Sequence, residues 1–218
     1  MEEKIREIHR RLLTQYGDKG GSKGWDPVTL LVSAILSQNT NDALRDRAFE
    51  RLRARFSSWE EVRDAPVEEV EEAIRVAGLS RQKAFRIQQA LRRITNEVGT
   101  LDLSFLRKMD LEEARKWLMS MEGIGPKTAA IILLFGLGMA AFPVDTHIFR
   151  VSKRLGLISQ RTTREKAHKI LESLIPPEHY YSFHLNMIEH GRKVCSPRHP
   201  RCQDCVLNDL CDFYRGSA

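Results

Sequence analysis

Cysteine is absent from the first 194 residues of this 218-residue chain. That excludes a disulfide-stapled scaffold over most of its length, so the core must be held by apolar burial. Aromatic residues are only 7% of the whole. Long apolar runs are missing too. The longest uncharged stretch, Thr128 to Val144, is 17 residues and contains Gly136, Gly138 and Pro143, short of the ~20 residues that span a bilayer. It reads as a buried helix followed by a loop. The first residues, MEEKIREIHRRLL, lack the apolar centre of a secretion signal, so a reducing, cytoplasmic setting is expected and no membrane partner. No internal repeat or low-complexity tract is visible.

What is present describes a globular chain: 42% apolar and 29% charged residues, enough for one large domain or two small ones. Lys and Arg number 35 against 29 Asp and Glu, a net charge of +6 and a pI near 9.3. This balance suits a polyanionic partner without establishing one. Apolar spacing is helical nearly everywhere. Ile5, Ile8, Leu12 and Tyr16 share one face, as do Ala84, Ile87, Leu91, Ile94 and Val98, and later Ala167, Ile170, Leu171 and Leu174. Gly17, Gly20, Gly21 and Gly24 make a loop after the first helix. Asp26-Pro27 reads as an N-cap with proline at the first helical position. Ser58 with Glu61, and Thr162 with Glu165, have capping-box spacing, and Ser80 is placed to cap another helix. The charge-dense stretch Glu60–Arg75 reads as one solvated helix face. No period-2 strand of useful length occurs, so the expectation is an all-α fold of roughly ten helices.

The four cysteines all lie within 17 residues, as Cys195, Cys202, Cys205 and Cys211, with the spacing C-x6-C-x2-C-x5-C. Short loops can bring four such sulfurs around one centre. Disulfides are disfavoured in a reducing compartment. Zinc sites pair two short knuckles, and only Cys202–Cys205 is one. An iron–sulfur cluster tolerates the longer arms. The spacing favours a cluster and leaves zinc open.

Two further segments carry chemistry. In Met121-Glu-Gly123-Ile124-Gly125-Pro-Lys127-Thr128, two glycines allow a tight turn and Pro126 opens a helix. Backbone N–H groups at such a turn can grip phosphate, and Ile124 can pin the turn into the core. Gly-x-Gly alone is a weak signal, equally at home in an ordinary helical hairpin. In Val144-Asp145-Thr-His147, Asp145 is placed as a helix N-cap and could also stabilise a sugar cation. His147 reads as structural.

The hairpin Gly123–Ala129, the segment Val144–His147 and the four-cysteine spacing occur in this order. Together they closely resemble the endonuclease III family, in the helix–hairpin–helix superfamily of DNA glycosylases, from about Leu30 to Cys211. The resemblance implies two helical lobes with a DNA groove between them: a helical barrel carrying the hairpin, residues 25–140, and a discontinuous iron–sulfur lobe, residues 1–24 and 141–218. It implies a 4Fe–4S cluster on Cys195, Cys202, Cys205 and Cys211. It places Lys127 where bifunctional members have their nucleophilic lysine and Asp145 at the catalytic aspartate. Gln38 matches the glutamine that fills the gap left by a flipped base, and Leu79 matches the leucine wedge. Gly123, Ile124, Gly125 and Thr128 fall on the DNA-gripping hairpin.

The implied partner is double-stranded DNA carrying a damaged base or an abasic site, bound by a monomer that in a prokaryote would be nucleoid-associated. Excision followed by β-elimination needs a neutral lysine, which predicts that Lys127 is buried. Asn39 and Asn41, in Leu36-Ser-Gln38-Asn39-Thr-Asn41, depart from the family's usual alanine and aspartate and are similar to plant 5-methylcytosine glycosylases. This leaves the target base open between oxidised pyrimidines and mismatched, deaminated or methylated bases. A catalytically silent iron–sulfur DNA-binding module is the remaining alternative, against which the presence of both Lys127 and Asp145 argues.

Overall fold

A computed structural model of the chain describes residues 1–21 and 24–216. Among these residues there are twelve α-helices and no strand, as the helical spacing predicts. The chain forms two compact units, Gly24–Leu137 and a discontinuous one made of Met1–Lys23 with Gly138–Ala218.

The continuous unit contains α2 (Pro27–Leu36), α3 (Asp42–Arg55), α4 (Trp59–Asp64), α5 (Val67–Ile74), α6 (Ser80–Val98), α7 (Leu111–Met119) and α8 (Pro126–Ile131). Asp26 caps α2 by accepting from the Thr29 N–H, with Pro27 at the first position. α2 is apolar nearly all round and buries Val28, Leu31, Val32, Ile35 and Leu36, the pattern of a central helix. α6 lays Ala84, Ile87, Leu91 and Ile94 against the same core. α8 continues into a π-helical turn, Ile132–Gly136, whose last carbonyls are capped by Arg107, donating to Gly136 O and Leu137 O at 3.2 Å each.

Three local expectations are corrected. The stretch Glu60–Arg75 is two helices rather than one, because the Ala65-Pro66 step favours extended backbone and ends α4; Val62, Val70 and Ile74 turn inward. Ser80 is the first residue of α6, not its cap. The N-cap position is Leu79, in the left-handed region at φ 50°, while the Ser80 hydroxyl donates to Glu71. The cap before residue 164 is Thr163, one residue later than the spacing suggests.

The discontinuous unit contains α1 (Glu2–Tyr16), α9 (Thr146–Arg154), α10 (Arg164–Leu174), α11 (Tyr180–Lys193) and the short α12 (Asp212–Arg215). α1 packs its Ile5, Ile8, Leu12 face on α11, which in turn packs on α9. His9 is buried with them, donating to or accepting from Ser182 Oγ at 3.1 Å and stacking near His179 at 4.1 Å. No described helix is long and apolar enough to cross a membrane.

Candidate functional site

The hairpin before α8 is built as its glycines suggest. Gly123 has φ +82°, which L side chains rarely adopt, and a Cβ there would sit 2.9 Å from Arg86 Cδ, so a side chain at this position would strain the turn and push Arg86 aside. Ile124 is buried and donates its N–H to Met121 O, pinning the turn. Gly125 caps α8 from extended backbone, followed by Pro126. Lys127 and Thr128 thus stand in the first turn of α8. Lys127 is exposed, contrary to the burial expected for it. The reason is helical phase: Ala129 and Ala130 take the inward positions of this short helix, leaving Lys127 outside.

Gln38 lies just beyond α2 and reaches the hairpin. Its Nε2 donates to Gly123 O at 2.7 Å, and its Oε1 accepts from Arg86 Nη1 at 3.2 Å. Arg86 also pairs with Glu122 at 3.1 Å. Leu79 is 54% exposed, so it is not a core residue and stands out from the turn between Gly78 and α6. Gln38, Leu79 and the hairpin all belong to the continuous unit.

Asp145 belongs to the discontinuous unit. Its Oδ1 accepts the Ile148 N–H at 2.7 Å, capping α9. One carboxylate oxygen is thereby fixed, and the aspartate's direction is set by the helix it caps. His147 is half-buried, its ring meets Arg150 at 3.2 Å, and Arg150 donates on to Gly191 O and Cys195 O. His147 Cβ lies so close to Gly191 that a side chain there would collide with it at 2.8 Å.

None of the four cysteines is in a disulfide, and all four line one cavity in the discontinuous unit. Four cysteines around one cavity can supply the one thiolate per iron that a 4Fe–4S cluster takes. Burial pushes the Cys205 thiol up to about 11, with the other three cysteines adding to the effect. Burial also raises Cys202. Burial thus favours the protonated thiols, and holding these cysteines as thiolate ligands requires a cationic group that displaces their protons. Arg154 Nη1 approaches Cys195 Sγ at 3.2 Å, and the Leu207 N–H donates to Cys205 Sγ at 3.4 Å. The cysteines, their spacing and these N–H partners fit a 4Fe–4S group. When bound it supplies the cross-link that holds the Cys195–Cys211 loop, which lacks a regular element longer than the three-residue turn Asn208–Leu210.

One residue that sequence reasoning passed over is Lys83. It sits inside the apolar stripe of α6, one turn before Ile87, and is 1% exposed. A lysine at a core phase of an amphipathic helix was the available signal.

Comparison with known proteins follows this geometry. Residues 32–177 match the model of the HhH-GPD superfamily of base excision DNA repair proteins. Residues 195–211 match the iron–sulfur binding domain of endonuclease III. Endonuclease III of Thermotoga maritima is 35% identical over 99% of this chain and 93% of its own length. An Arabidopsis thaliana protein named as a DNA glycosylase is 40% identical over 76% of this chain, which spans 56% of that protein. The solved structure of a trapped endonuclease III–DNA covalent intermediate superposes with a TM-score of 0.82 at 30% identity, covering 100% of this chain and 98% of that one.

Proposed function

The chain belongs to the HhH-GPD superfamily of base excision DNA repair proteins, and from that premise we propose which residues of this DNA glycosylase/AP lyase do the chemistry and which bases it removes. Its partner is DNA and its resident cofactor the 4Fe–4S cluster. Lys127 is the nucleophile, and Asp145 is the carboxylate that stabilises the sugar cation. The protein acts as a monomer on oxidised pyrimidines in double-stranded DNA.

The observation that carries this reading is Lys127 in the first turn of α8, directly after the Gly123-Ile124-Gly125 turn. A base inside a duplex is out of reach until it is flipped, at a cost of a few kcal/mol. Leu79, exposed on its left-handed turn, is suited to hold the opened stack, and Gln38 to fill the space left behind. The Lys127 amine then attacks C1′ as the C1′–N bond breaks, and the base leaves with its electron pair and takes up a proton. Ring opening gives a protonated imine between C1′ and Nζ. Loss of a C2′ proton expels the 3′ phosphate and cuts the strand. Positive charge builds on the sugar in the first step, and the Asp145 carboxylate, aimed by its bond to Ile148 N–H, opposes it.

Borohydride reduction of the imine tests the assignment. Wild type should form a covalent adduct with an abasic duplex. Lys127→Arg should bind DNA but form none, because arginine stays protonated and makes no imine. Trapping that survives in Lys127→Arg places the nucleophile elsewhere. Asp145→Asn should retain DNA binding and lose about a hundredfold or more in base excision, the scale of removing one charge-stabilising group.

A further inference from the structure

The Lys83 ammonium is buried at 1% exposure and donates to two carbonyls, Leu36 O and Ala77 O, each at 2.8 Å. No carboxylate pairs with it among the described residues. Leu36 is the last residue of α2, and Ala77 ends the 3-10 turn Arg75–Ala77. One ammonium therefore caps two helical C-termini, where the carbonyls are orphaned and the dipole favours a cation. Gln38 stands two residues beyond Leu36 and Leu79 two residues beyond Ala77. Among the described residues, the only non-glycine positions with positive φ are Asn39 at 51° and Leu79 at 50°. Such strain persists only where surrounding structure enforces it, and here each strained residue follows a carbonyl held by Lys83.

A charge buried without a counterion is costly, and an apolar side chain of the same length would fill the space more cheaply. Packing alone gives no reason for lysine. Three positions along α6, Arg86 holds Gln38 Oε1 and Glu122, and Gln38 holds Gly123 O. One face of α6 thus ties three loops: 37–41, 78–79 and the hairpin.

We propose that Lys83 is a positioning residue for base excision, a buried strut that sets the Gln38 and Leu79 loops in one fixed frame so that both side chains enter the duplex together. The proposal rests on the reading of Gln38 and Leu79 as flipping residues. Lys83 touches no substrate; it acts by holding the two carbonyls that launch these loops.

The test uses the full-length, cluster-containing protein and two duplexes under single-turnover conditions, one with thymine glycol opposite adenine and one with a preformed abasic site. The quantity read is the ratio of base excision to abasic-site cleavage. Lys83→Met should lower that ratio about tenfold, since abasic cleavage requires no base to be unstacked. Lys83→Gln, shorter and able to hold one carbonyl only, should lower it about threefold and serves if the methionine variant does not fold. In a Gln38→Ala/Leu79→Ala background, adding Lys83→Met should change the ratio less than about twofold, because the loops it positions have lost their tips. An unchanged ratio in the folded Lys83 variant, or a full further loss in the double-alanine background, overturns the proposal. The alanine variants alone separate the two ideas. If they lower both activities equally, the flipping reading fails. If they lower the ratio and Lys83→Met does not, the strut alone fails.

Discussion

Gln38 does not start from a free side chain. Its amide is held on both ends, by Gly123 O and by Arg86, so entering a duplex means giving up two hydrogen bonds worth about 1 kcal/mol each. Leu79 starts from solvent, and in the proposed wedge role it would gain by burial against bases. Gln38→Ala and Leu79→Ala are therefore each expected to slow excision of a stably paired lesion about tenfold or more while leaving abasic-site cleavage within about twofold. Thermal stability should hold in Leu79→Ala, since no core contact is lost; a Tm drop larger than the excision defect would mark it as a packing residue instead. These two positions were legible in the sequence only through motif resemblance. Periodicity says nothing about Leu79, and its exposed, left-handed placement emerges only with the turn that carries it. Lys83 was legible in principle, at a core phase of α6, but charge on a helix usually means solvent, and only the two carbonyls behind it explain its burial. Lys127 shows the opposite error: the chemistry asked for burial, and the phase of α8 turns it outward.

At the scale of helices, the apolar faces were plain in the sequence and the caps were not. Ile5, Ile8 and Leu12 of α1 go inward as their spacing requires, whereas the cap of α10 moves to Thr163 because either adjacent threonine can serve. His9, on the same face of α1, is buried beside Ser182 and His179. Burial, with the nearby His179, holds its pKa down to about 4, against a weaker opposing pull from Asp18. The unfolded chain, with an ordinary histidine near 6.5, takes up the proton first as pH falls. The stabilising contribution is therefore complete above about 6.5 and is lost between there and about 4. From pH 7.5 to 5.5 this should remove on the order of 1 kcal/mol, or about 2–4 °C in Tm for a chain of this size. His9→Leu should lose that part of the pH dependence while keeping α1 docked. Melting curves at the two pH values check it: an equal drop in wild type and His9→Leu would show that His9 does not titrate on unfolding in this window.

Across the whole molecule the net charge of +6 is unevenly placed. Residues 24–137 carry 17 basic and 17 acidic side chains, and the remaining residues carry 18 and 12. All of the excess sits in the discontinuous unit, with the cysteine loop and α1. Gly17, Gly20, Gly21 and Gly24, and Gly136 and Gly138, lie at the two boundaries, but a glycine loop alone reads as a turn, so the total charge was legible from composition and its partition only through the family resemblance. The hairpin lies in the neutral unit, so the DNA grip proposed for it would rest on backbone N–H groups rather than on net charge. The two kinds of contact respond differently to salt. Each phosphate neutralised by a side chain contributes about −0.9 to the slope of log K against log salt, while a backbone N–H contact displaces little counterion. Arg198, exposed between Cys195 and Cys202, should therefore act through the slope: Arg198→Ala is expected to flatten it by about 0.9 and weaken binding to damaged and undamaged duplexes alike. Gly123→Ala forces a side chain into positive φ and against Arg86, distorting the turn. It should weaken binding about tenfold or more at every salt concentration with the slope nearly unchanged. Fluorescence anisotropy from 50 to 300 mM salt reads both quantities on one duplex. If Gly123→Ala flattens the slope and Arg198→Ala leaves it untouched, the electrostatic grip lies with the hairpin unit, and the division of labour argued from the charge partition is wrong.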